Sequence, residues 1–287
     1  MGIEVLWEAF QLPFMARSLA TVLLLAVASG VIGVFVNLRG LEFVSDGLVH
    51  AVFPGLVIGF AVASTGGLIW GAFAAALIGA VLLTVAERRG LGSDATIAVV
   101  LTSMFGIGIV IVSRQQGYVA QLEQLLFGRL LTVTDAQLAQ IAVLSAIAVL
   151  LIAATGKEQL FRAFDRHGAR AAGRGGFGVE LVLNVAVALV VVAGAQAIGS
   201  LLVLALLIVP AAIGRLVTRR FAVLFPIAVL SAALAGWAGL VIGFTASVGA
   251  GLTPSPGATV VLVLVALYVV VLLGSLAATR MRRAAVR

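Results

Sequence analysis

Apolar residues in this chain come in long runs, not in alternation. Nine runs can be read, at 16–36, 41–63, 67–86, 96–113, 136–155, 179–198, 201–218, 222–246 and 257–278. Each approaches the ~20 residues, rising 1.5 Å apiece, that carry a helix across ~30 Å of hydrocarbon. Barrel strands would instead alternate over about ten residues. The pattern predicts an all-α polytopic membrane protein with about nine transmembrane helices. The weakest division is at Gly199-Ser200, where two runs nearly touch. A short re-entrant piece there would lower the count to eight.

Composition agrees and removes other classes. The 287 residues are 63% hydrophobic and 10% charged, with mean hydropathy +1.25. A soluble domain runs about 45–50% apolar and about 25% charged. A globule of this size cannot hide so much apolar surface from water. A disordered chain, a disulfide-stapled secreted domain and an ordinary soluble enzyme are therefore excluded. No cysteine is present, so thiolate metal sites are absent. Glu4 and Glu8 replace the basic start of a cleavable leader. The whole of 1–287 reads as one transmembrane domain with no soluble domain.

Charge predicts the orientation. The net charge of +7 would suggest nucleic acid in a soluble protein. Here the basic residues sit in short loops between apolar runs, so the bias of Lys and Arg toward the cytoplasm explains them better, and no nucleic-acid partner is expected. With 156–176 inside, the inner segments hold Arg39, the pair at 88–89, five residues between 157 and 174, three between 215 and 220, and four from Arg280 onward. Only Arg17, Arg114 and Arg129 fall outside. The N-terminus is then outside and the C-terminus inside. On the outer side, 122–127 reads as a short amphipathic stretch lying on or dipping into the lipid.

The candidate chemistry lies in the second run, Ser45-Asp46-Gly47-Leu48-Val49-His50-Ala51-Val52-Phe53-Pro54-Gly55. Asp46 and His50 are four apart and share a helix face. His50 lies about nine residues into its run, roughly 14 Å deep. An ionisable group at that depth is costly and usually marks an ion path. A carboxylate and an imidazole one turn apart also suit a divalent transition metal. The residues alone leave a second reading open, in which Asp46 caps a helix and His50 bonds a neighbouring one. Pro54 has no N–H, so the His50 carbonyl loses its helical donor, and a kink is expected there. Pro210 should act likewise on the seventh helix. Small-residue pairs at spacing four (Gly55/Gly59, Gly67/Gly71, Gly239/Gly243) predict close helix packing. His167 reads as a solvated loop residue, Glu180 as interfacial, and Asn184 and Gln196 as bonds between helices. The single lysine, Lys157, has no phosphate-binding glycine loop around it, so the chain carries no P-loop of its own.

The motif around Asp46 and His50 recurs with four others: Gly92-Ser93-Asp94-Ala95-Thr96-Ile97-Ala98; Gln124-Leu125-Leu126-Phe127-Gly128; Glu158-Gln159-Leu160-Phe161-Arg162-Ala163-Phe164-Asp165; and Leu204-Ala205-Leu206-Leu207-Ile208-Val209-Pro210-Ala211-Ala212. In this order, over about residues 39–273, the chain resembles the permease subunit of bacterial zinc/manganese ABC importers. It departs from the family pattern at Val49 and in the Arg- and Gly-rich stretch 169–178.

The resemblance implies a multi-pass homodimer in the bacterial inner or plasma membrane, working with cytoplasmic ATP-binding subunits and an extracytoplasmic metal-binding protein. It places Asp46 and His50 on the metal path, with Zn²⁺ or Mn²⁺ as cargo and no resident cofactor. It gives the loop 156–176 a coupling role. Leu160, Phe161 and Phe164 form an apolar face there, and Asp165 can cap a short helix. Such a knob suits a groove on an ATPase, or else rests on anionic lipid. Two alternatives are carried forward: an ABC permease for an iron chelate, and a proton-coupled secondary metal transporter.

Overall fold

The computed structural model describes residues 9–89, 94–113, 128–173, 176–250 and 255–285. Among these the chain is helical throughout. In order, α1 is Pro13–Arg39, α2 Glu42–Arg88, α3 Asp94–Val112, α4 Asp135–Phe164, α5 Arg166–Ala171, α6 Phe177–Ala195, α7 Ser200–Val217, α8 Phe221–Ala250 and α9 Pro256–Ala285. The sequence motif 124–127, the stretch 122–127, and Gly92, Ser93 and Arg174 lie outside the described residues.

Helix α2 is two spans in one. Ala63 and Ser64 leave helical geometry (φ −138°, ψ 26° and φ 51°, ψ −140°), and the chain reverses there. The two arms, Glu42–Ser64 and Gly66–Ala86, then run antiparallel. Their contact is made of glycines. A Cβ added at Gly55 would lie 2.2 Å from the Gly71 carbonyl oxygen, and one at Gly59 would lie 2.2 Å from that of Gly67. One at Gly79 would lie 2.9 Å from the Ala51 Cβ. The small residues let the two backbones touch, which larger ones would prevent.

Eight described helices are long and apolar enough to cross a membrane, counting the arms of α2 separately. The apolar part of α3, Ile97–Val112, is shorter. The weakest boundary in the sequence is a real one. At Gly199-Ser200 the chain does break, because Gly199 takes φ +81°, and α6 and α7 are separate helices. The short span is the fourth.

The bundle is built around α1 and α6, the most buried helices. Buried positions on α1 (Val22, Leu25, Ala26, Ser29, Ile32, Val36) recur at helical spacing. Helix α1 packs on α4, α7 and α8, while α6 packs on α2 and α4. Helix α3 lies against α2, and α9 against α7 and α8. The outer faces of α4 (Val143, Ile147, Leu150) and α9 (Leu262, Val269, Leu273) are exposed apolar surface, as lipid-facing helices require.

Helix α4 starts at a reciprocal cap. The Thr134 hydroxyl accepts from the Gln137 N–H at 3.3 Å, and the Gln137 side chain accepts from the Thr134 N–H at 3.0 Å. It does not stop at 155, where its apolar run ends. It continues through Gly156 and Lys157 to Phe164, about 13 Å beyond at 1.5 Å per residue. A polar helix end is stable outside lipid, so apolar length underestimates helix length here.

The hairpin contact generates a test. Gly71→Val should force the arms of α2 apart and cost at least the ~1–3 kcal/mol of an overpacked core. Thermal unfolding in detergent should show a clear loss for this variant and none for Gly156→Val, where nothing lies within 4 Å. Equal stability of the two variants would contradict the packing.

Candidate metal path

The first arm of α2 begins with Glu42, which accepts a hydrogen bond from the Asn37 side chain at 2.8 Å. One turn on is Asp46, and one further turn is His50. Asp46 Oδ1 lies 3.4 Å from His50 Nε2. The pair is neither buried nor free, with side chains 30% and 25% exposed. The His50 ring meets the Phe105 ring of α3 edge-on, centroids 5.1 Å apart. This contact orients the imidazole from one side.

A cavity of about 20 Å³ opens beside the ring. His50, Phe53, Phe105, Ala195 and Ser200 line it, so α2, α3 and the α6–α7 turn meet there. That volume suits one water or one bare ion. Pro54 sits within a continuous helical stretch of α2, as Pro210 does in α7. Neither the His50 nor the Leu206 carbonyl has its usual helical donor, because proline lacks an N–H. Among the described residues no three or more of His, Cys, Asp and Glu converge on one point. One chain therefore offers one carboxylate, one imidazole and a freed backbone oxygen.

Behind the cavity, the α6–α7 turn is clamped from outside the bundle. The Arg129 N–H donates to the Ala197 carbonyl at 3.0 Å. Gly128, at φ +73°, lies so close to Ile198 that an added Cβ would sit 2.3 Å from its carbonyl carbon. The Ser18 hydroxyl of α1 donates to the Leu130 carbonyl at 2.8 Å.

At the opposite end of the bundle the structure gathers charge. Glu180, expected at the interface, is 1% exposed. It pairs with Arg162 of α4, itself 4% exposed, and its other oxygen faces Arg88 Nε of α2 at 3.4 Å. Arg88 also lies over the Phe177 ring at 5.7 Å. Gln159 accepts from Arg39 at 2.8 Å and donates to the Val179 carbonyl at 2.7 Å. Asn184 of α6 donates to the Thr84 hydroxyl of α2 at 2.8 Å, a bond between helices as expected. Gln196 differs, since its buried Nε2 has no partner among the described residues.

The segment 156–173 contains the end of α4, a corner and α5. Asp165 makes the corner, its Oδ1 accepting from the Gly168 N–H at 2.7 Å. Leu160 turns toward the core, Phe161 is half-buried, and Phe164 projects at 73% exposure. His167 is exposed on α5.

Comparison with known proteins adds what geometry cannot. The model of the ABC 3 transport family matches residues 11–275. The chain belongs to this family. Relatives in it carry different cargoes in their names. The manganese transport system membrane protein MntC of Halalkalibacterium halodurans is 30% identical over 241 residues, 83% of this chain and 81% of its own. The chelated iron transport system membrane protein YfeD of Yersinia pestis is 29% identical over 245 residues, 85% of this chain and 82% of its own. The solved structure of PsaBC from Streptococcus pneumoniae in complex with Fab superposes with TM-score 0.79 at 25% identity, covering 94% of this chain and 95% of that one. The ABC 3 chain is a multi-pass protein of the bacterial plasma membrane.

Within the ABC 3 fold, two kinds of residue escape sequence reasoning. Phe105 and Ser200 line the cavity, yet each is an ordinary residue in an apolar run. Glu180 was visible as an acid following a basic stretch, but its partners come from other helices.

The cavity wall is open to a chemical test. Ser200→Cys would place a soft thiolate ligand on the wall that His50 shares. Cd²⁺ should then slow alkylation of this single cysteine, and His50→Ala should abolish the protection. Protection that persists without His50 would separate the serine from the His50 cavity.

Proposed function

We propose that the chain is the membrane-spanning permease subunit of an ATP-driven importer for a divalent transition metal ion, manganese or zinc. The observation that carries this reading is the Asp46–His50 pair, one turn apart beside an ion-sized cavity within the bundle. A borderline ion accepts both ligand types. Two copies across a two-fold axis would supply two carboxylates and two imidazoles, completing a set that one chain leaves at two. The manganese transport relative supports the cargo. An iron chelate is the second reading, supported by the relative named for chelated iron. Against it, a chelate needs a pocket of several hundred Å³ or more, far above about 20 Å³. Proton-coupled transport is disfavoured by family membership.

In this reading ATP binding and hydrolysis belong to a cytoplasmic partner, because the chain has no phosphate-binding loop around its lysine. The partner docks on 156–176, with Phe164 as the projecting anchor and Asp165 holding the corner. An extracytoplasmic metal-binding protein delivers the ion to the other face. The whole of 1–287 acts as one transmembrane domain, with the N-terminus outside and the C-terminus inside.

Uptake of radioactive manganese and zinc into proteoliposomes holding the complete complex tests the cargo path. Asp46→Asn keeps size but removes the charge that holds a cation in low dielectric. His50→Ala removes a nitrogen ligand. Each should lower uptake by at least about tenfold, the effect of losing one transition-state contact of ~1.4 kcal/mol, while the ATPase still co-purifies. A helix cap would cost only about 1 kcal/mol of stability and leave transport largely intact. Near-normal uptake by both variants removes the pair from the path.

Orientation has its own measurement, helped by the absence of native cysteine. An impermeant thiol reagent on whole cells should label Ser113→Cys and spare His167→Cys, both exposed positions. The reverse pattern inverts the topology.

A further inference from the structure

The charge cluster around Glu180 is not needed for the metal path itself, and its composition is uneven. Two guanidinium groups face one carboxylate. Arg162, with a side chain 1% exposed, already neutralises Glu180 inside the bundle. Arg88, 41% exposed at the end of α2, is not required for charge balance. It nevertheless reaches the buried carboxylate and covers the Phe177 ring.

We propose that Glu180 and Arg88 are positioning residues that carry motion of the segment 156–171 to the Asp46–His50 pair. This rests on the importer reading above. Arg162 lies within one turn of the corner at Asp165, so displacement of α5 pulls on it first. Arg162 and Glu180 cannot part inside the bundle without leaving bare charges in a low-dielectric interior, so they move together. The free oxygen of Glu180 then draws on Arg88 and hence on the second arm of α2. Higher up, the Asn184–Thr84 bond ties α6 to the same arm. The glycine contacts Gly55/Gly71 and Gly59/Gly67, with Ala51/Gly79, lock that arm to the first one. These contacts start at Ala51, next to His50, and continue along the same arm. The route runs through side-chain and backbone contacts between helices.

A staple that merely holds the fold would behave differently from a transmitter. The test uses the assembled complex with its ATPase in proteoliposomes, reading ATP hydrolysis and manganese uptake side by side. Arg88→Gln leaves the buried Arg162–Glu180 pair intact, so the complex should assemble at wild-type yield and hydrolyse ATP within about twofold of wild type. Metal moved per ATP should fall about tenfold, within the range for residues on a coupling route. Arg88→Lys, which keeps the charge, should restore most of the ratio. A second reading needs no metal. Spin labels at Ile58→Cys of α2 and Leu262→Cys of α9, both exposed, should change separation with ATP in the wild-type background and not in Arg88→Gln. A wild-type transport ratio in Arg88→Gln overturns the proposal. So does loss of the assembled complex, which would make Arg88 a structural staple. So does an ATP-driven separation change that survives the substitution. If the wild-type complex moves neither manganese nor zinc, the importer reading fails, and the spin-label comparison still decides the route.

Discussion

Hydrocarbon offers no partners to charged groups, so a buried charge inside this bundle must find its partner in the chain. At one end of the bundle that requirement concentrates on Glu180. Its carboxylate is buried against Arg162, and removing either member of that pair alone would strand a charge at a cost of about 3–5 kcal/mol. Meeting the requirement fixes where α4, α6 and the end of α2 stand relative to each other. Gln159 does the same for α1, through Arg39, and for the first turn of α6. The helix positions at this end follow from these polar pairs as much as from apolar packing, since lipid competes equally for apolar side chains.

The other half of the bundle is held by shape. The glycine hairpin of α2 and the turn at Gly199, pinned by Arg129 and Gly128, contain few side-chain hydrogen bonds. Between these two regimes lies the Asp46–His50 pair, partly exposed and sharing its cavity with a turn between helices. An ion site needs this intermediate character. A fully satisfied pair would have no valence left for a cation, and a fully exposed one would keep its water.

The helices were legible because apolar length is a direct signal of a spanning helix. The end of α4 was not, because Gly156, Lys157 and Glu158 end the apolar run without ending the helix. The Asp46–His50 pair was legible for a local reason, since spacing four fixes a shared face. The ligand count was not, because a single chain brings only two such groups together. Glu180 was read as interfacial because it follows the basic stretch that ends at Arg174. Its burial depends on Arg162 and Arg88, residues that no local pattern connects to it. Phe105 and Ser200 illustrate the same limit, since a phenylalanine or serine in an apolar run has nothing to mark it.

The hairpin of α2 has a thermal consequence. At Gly55, Gly59, Gly67 and Gly71 its arms meet through backbone atoms and alanine methyl groups, with few rotamers to freeze. Hydrophobic association weakens as temperature falls. A contact made largely by close backbone approach depends more on dispersion and shares less of that weakness. The arm that holds Asp46 and His50 is therefore joined to its neighbour about as firmly in a cold membrane as in a warm one, while the lipid around it stiffens and loosens.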